Sequence, residues 1–74
     1  MNRPALQQCL AKIMERIATG QRHIAQQREI VDELERNGRP ADHAKYLLAG
    51  IELLQATHRD RRHRLLKELS KISH

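Results

Sequence analysis

A run of charged and histidine side chains near the carboxyl end of the chain is the stretch best suited to bind an anion. It covers residues 57–64 and reads THRDRRHR. Guanidinium groups bind phosphate through bidentate charged hydrogen bonds, which predicts a phosphate-contacting patch. The patch consists of Arg59, Arg61, Arg62, Arg64 and Lys67. The other interpretation, a solvated helix face with Asp60 paired to Arg64, is favoured over this patch. Without interleaved aromatic rings, contact with phosphates is favoured over base reading.

Histidines are the obvious candidates for metal ligands. The chain has five, at His23, His43, His58, His63 and His74. None is followed at i+4 by a second ligand in the His-Glu-x-x-His manner. His23 and His58 could approach each other across a hairpin, which gives a site of two ligands at most. We therefore expect no metal and no cofactor, and interpret His58 as an interior, pH-sensitive histidine.

The remaining reactive groups do not form a catalytic set. Cys9 lies near Lys12, which leaves a reactive thiol open, but burial as a small apolar residue is favoured. Gln27 falls at a core position, where a single amide fixes register or oligomeric state in coiled coils. Straight helices offer no Ser-His-Asp arrangement and no phosphate-binding loop. The sequence thus predicts a protein that is not an enzyme.

The element that must position these groups is the only strong break in the chain, Asn37-Gly38-Arg39-Pro40. Gly38 can adopt the left-handed conformation that closes a helix. Pro40 cannot continue the first helix but can begin the second. We predict helix 1 over about residues 4–36, a turn at 37–40, and helix 2 over about 40–72. Such a short turn joins antiparallel neighbours, so the chain is predicted to be a single all-α helical hairpin over residues 1–74.

Helix 1 carries a strict heptad repeat that is typical of a coiled-coil seam. The a positions are β-branched or leucine, and the d positions include one glycine and one glutamine. The a positions are Leu10, Ile17, Ile24 and Val31, and the d positions are Leu6, Ile13, Gly20, Gln27 and Leu34.

Helix 2 carries an apolar stripe with a polar gap. The stripe comprises Ala44, Leu47, Leu48, Ile51, Leu54, Leu65, Leu69 and Ile72, and the gap holds His58, Arg61 and Arg62. Folding about Gly38 and Arg39 pairs residues whose numbers sum to about 78. This register predicts that Gly20 lies against His58 and leaves room for the imidazole.

A second stripe on helix 2 makes its apolar surface wider than one partner helix can bury. This surface is the predicted oligomer interface, and two hairpins packed there would form a four-helix bundle. The interface residues are Tyr46, Leu47, Gly50, Leu53, Leu54 and Thr57.

Composition sets further bounds. A chain of 74 residues with a single cysteine cannot form an intrachain disulfide and has a small core, which favours a second copy. The formal charge is +5, with +1 in residues 1–37 and +4 in residues 38–74. This excess permits nucleic-acid or acidic-protein partners. No membrane span and no signal peptide are recognisable, so we expect a cytoplasmic protein.

Two segments resemble a group of short proteobacterial proteins found in rhizobia-like genomes. The first is RHIAQQREIVDELERNG at residues 22–38. The second is the spaced pattern LL, LQ, HRDR and LLKEL that begins at residues 47, 54, 58 and 65. The likeness covers roughly residues 22–69, and the group has no assigned activity. The resemblance implies a free-standing small bacterial protein with a helical hairpin.

The function expected from these features is a non-enzymatic, homo-oligomeric module for protein interaction or regulation, whose further protein partner is unidentified. The alternative is a basic nucleic-acid-associated protein that binds phosphates through the patch Arg59–Lys67.

Overall fold

The chain is an antiparallel hairpin of two long α-helices in a computed structural model that describes residues 2–72. Helix α1 covers Arg3–Arg36 and helix α2 covers Asp42–Ile72. The rod measures 57 × 14 × 14 Å and its radius of gyration is 16.8 Å, whereas a compact domain of this length has a radius of about 11 Å. The predicted all-α hairpin is confirmed.

Helix α1 begins with a side-chain cap. Asn2 is extended, and its side-chain oxygen accepts a hydrogen bond from the Ala5 amide at 2.9 Å. Pro4 follows in the first turn, where a missing N–H does not interrupt the helix. The cap occupies one of the amides that have no intrahelical partner, which stabilises this end of α1.

The turn closes α1 in a Schellman motif. Gly38 has φ +67°, and its amide donates to the Glu35 carbonyl oxygen at 3.1 Å. The Arg39 amide reaches back to the Leu34 carbonyl oxygen at 2.8 Å. These two bonds define the motif and require a residue that tolerates positive φ, so the predicted role of Gly38 agrees with its geometry.

Helix α2 begins at Asp42, two residues later than the sequence suggested. Ala41 caps it through its backbone, because its carbonyl oxygen accepts from the Lys45 amide at 2.9 Å. The Ala41 side chain is buried and clusters with Val31 and Ala44. Pro40 therefore lies before the helix, and the buried side chain of Ala41 packs between the two helices at the closed end of the hairpin.

The seam of α1 agrees with the predicted heptad. Its buried residues are Leu6, Ile13, Ile17 and Val31. The other a and d positions are half-buried, namely Leu10, Gly20, Ile24, Gln27 and Leu34. Gln27 reaches across the hairpin and donates to the Ala44 carbonyl oxygen at 3.0 Å.

The seam of α2 differs from the predicted stripe. Leu47 and Leu54 are exposed, at 44% and 56%, whereas a polar residue, Gln55, is only 3% exposed. The buried and half-buried residues keep a regular alternation of four and three, and they are Ala44, Leu48, Ile51, Gln55, His58, Arg62, Leu65 and Leu69. The polar gap of the prediction therefore belongs to the seam and begins one turn earlier, at Gln55.

The register places Gly20 against Gln55, and not against His58 as predicted. A Cβ atom on Gly20 would overlap the Gln55 amide, with the Gln55 Cδ only 2.9 Å away. Gln55 Nε2 donates to the Ile17 carbonyl oxygen at 2.8 Å. Residues that face each other across the hairpin, such as Gly20 and Gln55, have numbers that sum to 75, whereas the predicted sum is about 78. The difference displaces the contacts by about one turn of helix, because the chain reverses its direction between Asn37 and Gly38. Gly20 does leave room for a polar side chain from α2, as predicted, but this side chain is the Gln55 amide and not the His58 imidazole.

Candidate self-association face

The two sides of the seam differ in how their flanking residues are paired. On one side, Lys45 lies 3.4 Å from Glu35, and Arg28 lies 3.3 Å from Glu52. Both pairs link α1 to α2. We call this flank the ion-paired side. Exposed ion pairs of this kind contribute little stability. The charged side chains on this flank nevertheless have partners within the hairpin.

The opposite flank carries apolar residues near the closed end of the hairpin. On this flank, His23 of α1 and Leu54 of α2 line one groove near the middle of the rod. Ile30 and Leu47 are one heptad from these two residues, towards the turn, so they extend the same flank. Ile30 is 47% exposed. We call this flank the apolar side. Among residues 2–72, no ion pair crosses from helix to helix on it.

All six residues of the predicted interface are exposed, and five of them form one continuous surface on α2. We call these five residues, Tyr46, Leu47, Gly50, Leu53 and Leu54, the apolar face. Tyr46 and Leu53 are the most open, at 74% and 71%. Thr57 lies beyond the face, and its hydroxyl donates to the Leu53 carbonyl oxygen of its own helix at 3.1 Å.

Gly50 lies at the middle of the apolar face. No atom lies within 4 Å of the place where its Cβ would be, so packing inside the hairpin does not explain a glycine here. Glycine is unfavourable in a helix interior, but it allows another backbone to approach closely. The larger side chains on either side make the surface at Gly50 a shallow groove.

The five cations of the predicted phosphate patch do not share one surface. Arg59 lines a groove on the ion-paired side together with Arg28 and Glu52. Arg62 is a half-buried residue of the seam. Arg64 is paired with Asp60 at 2.9 Å. Arg61 lines a groove together with Asp60 and Arg64, and Lys67 lies three residues further along the helix.

A different group of cations is brought together by the register. Arg61 of α2 meets Lys12 and Arg16 of α1 around a small cavity that Cys9 also lines. None of these three cations forms an ion pair with a carboxylate within residues 2–72. We call Lys12, Arg16 and Arg61 the cationic cluster. It lies on the apolar side, towards the open end of the hairpin. Sequence reasoning missed it because it depends on which turns of the two helices are level.

The other candidate groups remain apart. His23 and His58 line the same groove, but within the described range no three His, Cys, Asp or Glu residues are placed to hold a metal ion. Cys9 is a half-buried free thiol. His74 lies outside the described residues. Glu15 and Thr19 line the groove of the two histidines as well, but the Thr19 hydroxyl accepts a hydrogen bond from Arg22 at 3.4 Å. The most developed feature of the described residues is the apolar face.

Comparisons with protein-family models, with curated proteins and with solved structures found no match for this chain. In the described part of the chain, neither helix contains a segment that is long and apolar enough to span a bilayer.

Proposed function

We propose that the protein is a non-enzymatic, self-associating module that forms a homodimer through the apolar face. The observation that carries this proposal is the exposure of Tyr46, Leu47, Leu53 and Leu54 on one helix surface. Four large side chains contiguous around a glycine exceed the scattered apolar exposure that a monomer shows. The product is a four-helix bundle.

The weakness of the hairpin's own core supports a second copy. The buried apolar residues are Leu6, Ile13, Ile17, Val31, Ala41 and Ala44, and two of them are alanine. One polar residue, Gln55, shares this core, and its Oε1 has no hydrogen-bond partner among the described residues. A chain of this size usually requires disulfides, a bound metal or oligomerisation to be stable. Dimerisation through the apolar face would add a second, wholly apolar layer.

The surface area supports the same conclusion. The chain exposes 5863 Å², whereas a compact folded monomer of this mass exposes about 4,700 Å². The excess, about 1,200 Å², is comparable to the roughly 800 Å² that each partner contributes to an interface of standard size. Removing the apolar face from water would bring the exposed area per chain towards the ordinary value.

The test is a charged substitution at the most exposed leucine of the face. Leu53→Glu should convert a dimer to a monomer in sedimentation equilibrium, with partial loss of helical circular dichroism. A central apolar residue of an interface is worth at least about 2 kcal/mol, so the dissociation constant should rise at least about 30-fold. The control is Leu66→Glu, which places the same charge on an exposed leucine outside the face. Unchanged sedimentation of the Leu53 variant would refute the proposed face.

Nucleic-acid binding is the alternative function, and one observation favours it. The open half of the hairpin, residues 2–20 and 55–72, has nine Lys and Arg against three acids, a net charge of +6. Filter binding of duplex DNA against salt separates the two functions. Binding with a steep salt dependence, reduced in an Arg61/Arg62/Arg64→Ala variant, would support it. Absence of binding at low salt would remove it.

A further inference from the structure

We propose that the two copies pack antiparallel, with the α2 helices crossing at Gly50 and the cationic cluster of each copy against the turn of the other. The proposal rests on the proposed function and specifies the partner's orientation. The twofold axis lies in the interface, across the helices and level with Gly50. It places α2 on the partner's α2 in the opposite direction, as an isologous interface requires.

The apolar face is nearly symmetric about Gly50, which is the first argument. An antiparallel crossing at this residue pairs positions whose numbers sum to 100. Tyr46 then meets the partner's Leu54, Leu47 meets the partner's Leu53, and Gly50 meets its own copy. Every large side chain of the face gains an apolar neighbour. The open space at the Gly50 Cβ position is filled by the partner's backbone, which explains a glycine at an exposed helix position.

The distribution of charge along the rod is the second argument. The closed end, residues 29–42, has five acids and two arginines, a net charge of −3, whereas the open half has +6. Parallel packing would place the two open halves side by side, and like charges repel. Antiparallel packing moves each open half towards the partner's acidic end. Electrostatic complementarity of this kind selects orientation more than it adds affinity.

The register identifies the contact expected between these poles. Residue 25 of α1 is level with Gly50, because paired residues within the hairpin sum to 75. A residue of α1 in one copy is therefore level with the α1 residue of the other copy whose number, added to its own, gives about 50. This places Arg16 within one residue of the partner's Glu33. Neither Arg16 nor Glu33 forms an ion pair within the described part of one chain.

Distances between spin labels test the orientation. In a Cys9→Ser background, single labels are placed at Ala11 or at Ala25 by substitution to cysteine, since both positions are exposed. Ala11 is fourteen residues from the axis, so the antiparallel dimer separates the two labels by about 42 Å along the rod. Parallel packing leaves only a lateral distance of roughly 20–30 Å between the labels, which is the spacing of neighbouring helices in the bundle plus the length of the two label side chains. The Ala25 label should give this short distance in either dimer.

The outcomes separate the two proposals. A long distance at position 11 with a short distance at position 25 supports the antiparallel crossing. Short distances at both positions overturn the orientation and leave the dimer intact. Long distances at both overturn the crossing at Gly50. No dipolar coupling at either position, with monomeric sedimentation, overturns the proposed function itself.

A charge exchange provides a second readout that does not depend on labelling. Glu33→Lys should raise the dimer dissociation constant several-fold at low salt, and Arg16→Glu should do the same. The double variant should restore the wild-type value, because the pair is re-formed with its signs reversed. The matched control is Glu29→Lys, an equal charge change one turn away. Additive weakening in the double variant, or an equal effect at Glu29, would overturn the pairing of Arg16 with the partner's Glu33.

Discussion

Substituting Gly20 by alanine opposes two effects that the structure allows us to weigh. Alanine is favoured over glycine in a helix interior by about 1 kcal/mol. The new Cβ, however, would overlap the Gln55 amide. This amide is 3% exposed and donates to Ile17 at 2.8 Å, so it cannot turn aside without leaving the seam.

The overlap should prevail over the gain in helix propensity. Losing the bond from Gln55 to Ile17 costs about 0.5–1.5 kcal/mol, and overpacking a close contact costs about 1–3 kcal/mol. After subtracting the gain in helix propensity, we expect Gly20→Ala to lower the free energy of unfolding by about 1–3 kcal/mol. For a chain of this length, each kcal/mol corresponds to a decrease of about 4–8 °C in Tm.

The assay is urea denaturation followed by circular dichroism at one fixed protein concentration, since association contributes to apparent stability. The double variant Gly20→Ala/Gln55→Ala should recover at least about 1 kcal/mol relative to Gly20→Ala, because it removes the overlapping amide. Ala18→Gly, at an exposed position of α1, calibrates helix propensity in the same helix. If Gly20→Ala instead stabilises the protein by the amount that Ala18→Gly destabilises it, the close contact with Gln55 does not exist.

Three further substitutions test the ends of the helices and the ion-paired side, each by the same denaturation assay. Gly38→Ala should destabilise by about 1–2 kcal/mol, because φ is +67° and an L side chain is strained there; Gly38→Asn should be milder, and equal effects would contradict this reason. Asn2→Ala should cost about 0.5–2 kcal/mol through loss of the amino-terminal cap, whereas Asn2→Ser should be nearly neutral. Arg28→Ala should change stability by less than about 1 kcal/mol, because its pair with Glu52 is exposed and such pairs contribute little; a larger loss would indicate that the ion-paired side holds the hairpin together.

The turn and the seam of α1 were predictable because local chemistry specifies them. Gly38 and Pro40 allow few backbone conformations, and the heptad from Leu6 to Leu34 has only one apolar face. The seam of α2 was predicted incorrectly in part, because Leu47 and Leu54 are apolar residues on the outside. A strict alternation of four and three from Ala44 would have identified Gln55, even though a glutamine is not expected at a buried position.

The candidate site was predictable to the extent that it lies on one helix. The apolar face is a property of α2 alone, so periodicity finds it. The cationic cluster combines Lys12 and Arg16 with Arg61, and it depends on the register between two helices. If the reversal of the chain is displaced by one or two residues, the two helices shift against each other by about one helical turn. Different residues of α1 and α2 then come into contact. The five cations of the predicted phosphate patch all lie on α2, and they are divided among different directions by the periodicity of that helix alone.

Sedimentation equilibrium of the unmodified chain across a wide dilution series tests the central claim most directly. We expect a mass of about 17 kDa, twice the 8.6 kDa of one chain, with dissociation and loss of helical signal occurring together on dilution. A stable species of 8.6 kDa that keeps its full helical signal at every concentration would contradict the account.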